Sequence, residues 1–459
     1  MDRQSIVTRP INACRKGDAD CTAGVAKHGT EQGPAPAPVM AARGGSNMTR
    51  AEWKSTQRNP MQPLSGMTVI EAGAYITAPY AAMMLADMGA QVIKVERPGG
   101  GDPFRRFDGD TYRPYFRSAN RTKKSVVVDI RKPEGKEIFR KLAAGADLII
   151  ENNRPGVMDK LGLGYEELSK LNSRLVYCSI TGFGNEGPYR DRPAFDTVGQ
   201  ALSGLLSLQV DPENPRLTGA AVGDGVTGLY ACYAALSGLM QRERTGKGCR
   251  VETSMLAAGM SFLEFWFVDY YANKVLPNMY RKSQINLSFG LRASDGKMLI
   301  IHLSSLPKFW EGLLIAIEAP QFATDPRFST RPNRIENYEL LRAELSAIFS
   351  RRPRAYWLEV LTANDIPNAP IYTFDEHASD PQVKHLGLLY ELKHKNPKAD
   401  PTTMLKRAVL IDGQTGFEDA VAPPLLGEHT FEVLKSYGYS DADLEKLATA
   451  AIIERYKGA

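Results

Sequence analysis

Histidine is nearly missing from the front of this chain. The sequence has six histidines in 459 residues, and none lies between His28 and His302. Any chemistry in that stretch must run without the side chain that most readily carries protons near neutral pH. Cysteine is scarce too: Cys14, Cys21, Cys178, Cys232 and Cys249 make an odd count with no Cys-x-x-Cys pair. Neither a disulfide framework nor a structural zinc site is signalled, and Cys178 and Cys232 read as small buried apolar residues. No apolar run approaches the length that spans a bilayer. The N-terminus lacks the charged-then-apolar pattern of a secretory signal, so a cytoplasmic protein with no membrane partner is expected. A large charge excess is also lacking. Residues 1–60 hold nine Lys/Arg against five Asp/Glu, which leaves 48 against 47 in the rest of the chain. A near-neutral body argues against a nucleic-acid partner, while leaving room for one small basic pocket. There is no internal repeat and no heptad run.

What is there fits a globular protein of two or three domains, at 43% hydrophobic and 24% charged residues. Residues 1–60 stand apart: they carry Gly33-Pro-Ala-Pro-Ala-Pro38 and Arg43-Gly-Gly-Ser46 with few periodic apolar positions. They are expected to form a disordered tail, with Met48 and Met61 as alternative starts. From Leu64 an alternating α/β pattern begins. Strands are expected at 68–71, 91–96, 125–130, 147–151 and 175–180, with helices at 78–88 and 134–144. That alternation implies a Rossmann-like parallel sheet, whose ligand would sit at the carboxyl ends of the strands. Glu96 ends the second strand, where a dinucleotide enzyme keeps its ribose-binding acid. The first turn, Ala72-Gly-Ala-Tyr-Ile-Thr-Ala-Pro79, has no Gly-x-Gly-x-x-Gly, however. Arg97 with Pro98-Gly-Gly-Gly-Asp102 looks instead like a phosphate-reading residue on a loop; its plainer reading is a surface charge.

A long apolar helix is expected at 255–273, and a hairpin turns at Ser294-Asp-Gly296 within 287–303. A helix should open at Pro423 and run to Tyr437, followed by a capping box at Ser440-Asp-Ala-Asp443. The expected division is a tail at 1–60, a large Rossmann-like domain from 61–280 completed by 371–459, and a smaller α+β domain at 281–370.

The chemistry concentrates in two segments, Arg192-Pro-Ala-Phe-Asp196-Thr-Val-Gly-Gln200 and Gly223-Asp224-Gly225-Val-Thr-Gly228. Asp224 lies between two glycines just before an apolar helical run (229–240), so no neighbouring side chain shields it. The helix start adds positive dipole character that favours the ionised form. Asp224 therefore reads as a reachable carboxylate nucleophile; the alternative is a plain helix cap.

The ordered set of motifs resembles the class III CoA-transferase family, which includes formyl-CoA:oxalate and carnitine CoA-transferases. The set includes Ala86-Asp-Met-Gly-Ala90, Val92-Ile-Lys-Val-Glu-Arg97-Pro98, Glu151-Asn152-Asn153-Arg154-Pro155-Gly156, Ser179-Ile-Thr-Gly-Phe-Gly184, Arg192-Pro-Ala-Phe-Asp196, Gly223-Asp224 and Pro424-Leu-Leu-Gly-Glu-His-Thr430. The resemblance covers about residues 64–453. It implies an acyl-CoA:carboxylate CoA-transferase in which Asp224 forms an aspartyl anhydride and then an aspartyl-CoA thioester, with backbone N–H groups near Gly225 facing the oxyanions. It further implies that Arg97 meets the adenosine-phosphate end of CoA. Val128, Arg131, Asn152, Asn153, Arg154 and Lys160 make further CoA contacts, and Ile76 and Thr77 lie near the reacting thioester. Asp196 becomes an acid that orients the nucleophile; the other reading is a buried acid hydrogen-bonded to backbone. Coenzyme A and acyl-CoA enter as substrates, with no permanently bound cofactor and no metal. The resemblance also implies an interlocked homodimer, with the 255–273 helix buried between subunits.

The family also contains α-methylacyl-CoA racemases, the alternative reading, whose members carry a His directly before the Asp at the position of Asp196. Here that residue is Phe195. A CoA-binding protein without catalysis is a third reading, opposed by the intact Gly223-Asp224-Gly225. Oxalate-using members carry Gln where this chain has Ile76, and a glycine-rich loop that is not seen at 280–289. The aromatic run from Phe262 to Tyr271 reads as core or subunit interface, or else as the wall of a bulky acyl pocket.

Overall fold

The computed structural model describes residues 62–106, 112–393, 401–413 and 420–456. The expected tail at 1–60 lies outside the described residues, as do Cys14, Cys21 and His28. Strands β1 (Thr68–Glu71), β2 (Gln91–Glu96), β3 (Lys123–Val127), β4 (Leu148–Glu151), β5 (Val176–Thr181) and β6 (Arg250–Ser254) form one sheet in the order β3-β2-β1-β4-β5-β6. Every pairing is parallel. Strands β4 and β5 are buried at every position, as expected of a parallel sheet covered on both faces. The chain order reverses between β1 and β4, where Glu71 pairs with Ile150. A doubly wound sheet opens its ligand crevice at this switch point.

Helices cover both faces. On one, the Thr77–Asp87 and Val222–Thr245 helices bring Ala78, Ala81, Leu85, Ala231, Ala235 and Leu239 onto Val92 and Ile150. Gly228 permits the close crossing: a Cβ there would sit 2.9 Å from the Tyr80 ring and 3.2 Å from the Thr77 carbonyl. On the other face, Ile138, Phe139 and Leu142 of the Pro133–Ala144 helix share a core with Val433, Leu434 and Leu444. The far end of the chain thus completes the sheet's second layer. Each such fully buried Leu or Ile contributes about 1.5–3 kcal/mol.

Charges also run through the sheet. Lys94 Nζ lies 2.5 Å from Glu71 and 2.8 Å from Asp102, and Lys123 Nζ lies 2.6 Å from the other oxygen of Glu71. Glu96 is gripped by both Nε and Nη2 of Arg105 at 2.7 Å and accepts from Ser125 Oγ at 2.6 Å. Burial would raise the Glu96 carboxyl, but Arg105, Lys94 and Ser125 together outweigh it and hold it down at about 2. The acid that ends β2 is therefore an internal ion-pair member rather than a ribose reader.

Residues 287–366 have a core of their own, drawn from Phe289, Leu299, Leu313, Leu341 and Phe349 among others. The expected hairpin is β7 (Ser288–Arg292) and β8 (Met298–His302), antiparallel, with β9 (Asn368–Pro370) against β8. Strands β10 (Leu389–Leu392) and β11 (Thr402–Leu405) pair separately.

Several local readings differ. Strand β6 is not among the expected strands: its five residues alternate in burial but hold a single strongly apolar side chain, Val251. The helix carrying Asp224 begins at Val222, not Leu229. The expected 255–273 helix is two, Met255–Phe262 and Glu264–Asn273, separated by Leu263 at φ −99°, ψ 10°. The late helix begins at Thr430, not Pro423. Pro423 and Pro424 have no N–H to donate, and Gly427 takes a left-handed φ of 68° that interrupts any helix there. The capping box at Ser440 and Asp443 is present, with both reciprocal bonds.

Candidate active site

Asp224 sits in the first turn of the Val222–Thr245 helix, whose N-cap is Ala221 with no side-chain cap bond. It is therefore not the helix cap. Its backbone N–H donates to Asp196 Oδ1 at 3.0 Å, and Gln200 Nε2 donates to Asp196 Oδ2 at 2.6 Å. Asp196 and Gln200 lie one turn apart on the Asp196–Leu202 helix, so the acid is held from its own helix while it holds Asp224. The two glycines do different things. A Cβ on Gly223 would lie 3.1 Å from Asp196 Oδ1, whereas one on Gly225 would meet nothing within 4 Å. Gly223 admits the second acid, and Gly225 leaves the carboxylate open on the other side. The Gly225 N–H itself donates to the Ala221 carbonyl at 3.2 Å, so it is not free to face an oxyanion.

The helix start favours an ionised Asp224, and burial opposes it. Burial pushes its carboxyl up to about 7, with the Asp196 charge adding to the rise. One helix terminus cannot offset lost hydration and a like charge together. Among the described residues, no cation forms an ion pair with Asp224.

Asp224 lines a cavity of about 210 Å3 with Ile76, Thr77, Asn152, Asn153, Arg154 and others, at the carboxyl ends of β1 and β4. The loop after β1 is fastened there by Asn152. Its Oδ1 accepts from Ala74 N at 2.9 Å, and its Nδ2 donates to Ala74 O at 2.8 Å and Thr77 Oγ1 at 2.9 Å. Asn153 donates to Ala72 O and to Glu151. Both asparagines shape the wall with amide groups already engaged. Neither histidine nor lysine appears among the described lining residues, and Phe195 presents its ring at 62% exposure.

A second cavity of about 350 Å3 lies at the ends of β1, β2 and β3, lined by Arg97, Val128, Arg131 and Asn153 among others. Asn153 lines both cavities. Arg97 Nε donates to the Gly101 carbonyl at 3.1 Å, and no carboxylate pairs with it among the described residues. Arg131, by contrast, pairs with Asp129 at 2.8 Å. Lys160 ends the short Val157–Lys160 helix, exposed and outside the lining of both cavities. The two cavities are tied by an unforeseen contact. Tyr75, on the wall of the first, has a left-handed φ of 63°, and its N–H donates at 3.1 Å to Asp102, on the wall of the second. For a tyrosine that conformation costs about 1–2 kcal/mol. Nothing local in the sequence marks Tyr75. Gln200 did carry a signal, its i, i+4 spacing from Asp196.

A doubly wound sheet whose switch-point crevice ends in an uncompensated carboxylate defines an α/β enzyme. Known proteins make the class specific. The model of CoA-transferase family III matches residues 64–430, and the chain belongs to that family. The succinyl-CoA:glutarate CoA-transferase of Mus musculus is 34% identical, over 86% of this chain and 92% of its own length. The acetyl-CoA:oxalate CoA-transferase of Acetobacter aceti is 32% identical, over 85% and 99%. A crystal structure of a CaiB/BaiF family protein from Brucella suis superposes with a TM-score of 0.71 at 32% identity, covering 82% of this chain and 99% of that one. The protein is thus a CoA-transferase. No described helix is long and apolar enough to cross a membrane.

Proposed function

We propose that the enzyme moves CoA from an acyl-CoA to a free carboxylic acid through covalent intermediates on Asp224. The carboxylate attacks the thioester carbonyl, the C–S bond breaks, and an aspartyl-acyl anhydride forms with CoA as thiolate. The thiolate then attacks the aspartyl carbonyl of the anhydride, giving an aspartyl-CoA thioester and releasing the first acid as carboxylate. The incoming acid attacks that thioester and returns CoA as thiolate, which takes the new acyl group and frees Asp224. Each step exchanges one acyl bond for another, so no oxidant and no net proton is needed.

The observation that carries this reading is the setting of Asp224: half-buried, in no ion pair among the described residues, one side open to a cavity. A carboxyl at about 7 is more basic than an ordinary aspartate, hence a stronger nucleophile once ionised. Asp196 acts as a positioning residue through the Asp224 backbone. Arg97 supports the reading of the 350 Å3 cavity as the place for the CoA phosphates, since its charge is not spent on a carboxylate. Phe195 stands where racemase members of the family carry a histidine. We propose a homodimer as the working form. The Glu264–Asn273 helix has no buried residue, and Phe265, Val268 and Tyr271 are exposed on it. That apolar surface is what a second subunit would cover.

Asp224→Ala is expected to lower transfer by at least about 10^4-fold, because no other group can form the anhydride. Hydroxylamine added after acyl-CoA should mark Asp224 alone, read by peptide mass. Robust transfer in a folded Asp224→Ala protein would overturn the mechanism.

A further inference from the structure

Tyr75 carries a bulky side chain on a left-handed backbone, φ 63°, where glycine or asparagine is the ordinary residue. Strain of this kind persists only where the surrounding structure enforces it, and it gathers at functional sites. Asp102 supplies the enforcement. Its Oδ1 accepts from Tyr75 N at 3.1 Å and from Phe104 N at 2.9 Å, while its Oδ2 lies 2.8 Å from Lys94 Nζ. One carboxylate of the buried ion-pair cluster thus fixes the backbone of two aromatic residues. Their rings meet edge to face, with centroids 5.9 Å apart. The Tyr75 ring then meets Phe195 at 5.8 Å and 89°, the T-shaped geometry that aromatic pairs favour. The Tyr75 hydroxyl has no hydrogen-bond partner among the described residues, so the ring is the engaged part of the side chain.

Phe195 is the N-cap of the Asp196–Leu202 helix, and its carbonyl accepts from Val198 N at 2.9 Å and Gly199 N at 3.0 Å. The residue after it is Asp196, whose Oδ1 holds the Asp224 N–H. The chain just before Phe195 is backed by Gly182, where a Cβ would lie 2.3 Å from that of Ala194. The Phe195 ring itself is exposed, so its contact with Tyr75 is what steadies it from the cavity. We propose that Tyr75 is a positioning residue for the transfer: its ring braces Phe195, and through Phe195 it fixes the start of the helix whose Asp196 orients Asp224. A nucleophile displaced by about 1 Å can lose roughly 100-fold in rate, so a brace at this distance matters. The strained backbone sets the direction in which the ring leaves the loop, which gives a reason for a tyrosine where glycine would be relaxed. Phe195 acquires a role of its own, as the relay between the ion-pair cluster and the nucleophile. This inference rests on the reading of Asp224 as nucleophile and adds to it two residues that hold it in place.

The test removes the ring and the strain together. Tyr75→Gly should lower kcat at least about tenfold, while the KM for acyl-CoA and the affinity for CoA by titration change less than roughly twofold. Its melting temperature should stay near that of the wild type, because relief of the left-handed strain offsets the lost ring contacts. A merely structural role would lower both. Tyr75→Phe restores the ring without the hydroxyl and should recover most of kcat. Phe195→Leu should also lower kcat, and the double variant should lose no more than the worse single one, since the two rings act as a unit. If Tyr75→Gly fails to fold, Tyr75→Asn, which also suits a left-handed backbone, carries the comparison. A kcat within about twofold of the wild type in Tyr75→Gly would overturn the assignment, as would losses that multiply in the double variant or a loss confined to KM. Asp224→Ala measured alongside separates the two readings. An inactive Asp224→Ala beside a fully active Tyr75→Gly overturns this inference alone, whereas an active Asp224→Ala removes the covalent reading beneath it.

Discussion

Two groups of acids, one buried and one half-buried, sit at the same large sheet, and they are treated in opposite ways. Beneath β1, β2 and β3, Glu71, Asp102 and Glu96 meet Lys94, Lys123 and Arg105, each acid with a cation at 2.8 Å or closer. Three negative charges face three positive ones. Lys94 is fully buried, which by itself would lower its pKa, yet Asp102, Glu71 and Glu96 keep it raised. At the switch point, Asp224 lies beside Asp196 and forms no ion pair among the described residues, and its carboxyl rises to about 7. The first group is neutral and holds backbone in place, including Tyr75 through Asp102. The second forms no ion pair among the described residues, so its charge remains for chemistry. Pairing and burial together separate scaffold from site here.

The sharpest way to break that comparison is Lys94→Met. It strands Glu71 and Asp102 with a single remaining cation, Lys123. A cost equivalent to about 3–5 kcal/mol is expected, read as a lower unfolding midpoint. An unchanged midpoint would mean that the cluster is not holding the sheet.

Arg97 is the cationic counterpart of Asp224, a charge with no carboxylate partner among the described residues. Arg97→Ala should weaken CoA binding by about 1.5–3 kcal/mol with kcat nearly unchanged, because a charge-assisted contact to phosphate is lost. Isothermal titration with CoA measures it, and equal affinity in both proteins would place the phosphates elsewhere. Arg131→Ala, whose guanidinium is already paired with Asp129, should lose less.

The smallest effects are pH-dependent. The folded carboxyl of Asp224 is raised above its unfolded value, so the folded protein holds the extra proton between about pH 4 and 7. Stability should fall as pH rises through that window, and the penalty should be complete above it. Asp224→Asn should therefore stabilise the protein at pH 8 by roughly 1–3 kcal/mol and leave it unchanged near pH 4. That sign is opposite to Lys94→Met. Ascending kcat/KM should follow ionisation of Asp224, with its midpoint near 7. Asp196→Asn removes the like charge but keeps an acceptor for the Asp224 N–H, so the limb should move down by about 0.5–1 pH unit. A limb that does not move would show that burial alone sets the shift.

Most of the fold was legible because its strands are short apolar runs between helices of ordinary length. Residues 68–71 and 91–96 match their strands to the residue. Strand β6 was not legible, since an edge strand with Arg250 and Glu252 looks polar in any window. The break at Leu263 was hidden inside a continuous apolar stretch, where periodicity cannot distinguish one helix from two. At the site, the Gly-Asp-Gly segment pointed to Asp224, and the structure added that the two glycines serve separate purposes. The sequence suggests free backbone N–H groups near Gly225 because its apolar run starts only at Leu229, seven residues after the helix begins, and the Gly225 N–H is instead engaged by Ala221.

The sequence by itself determined the residue types and their order: which acid is flanked by glycines, which arginine follows the second strand, and that no histidine stands at Phe195. Those are local facts, carried by motifs of a few residues. Only the tertiary structure decided which charges are spent. Asp102 meets Lys94, and the Arg192 guanidinium stacks on Tyr189, because of where the strands and loops bring them together. Whether a carboxylate is held near 2 or pushed to about 7 depends on neighbours that lie far apart in the chain. Charge balance is set by distance in space, and a linear sequence does not carry that distance.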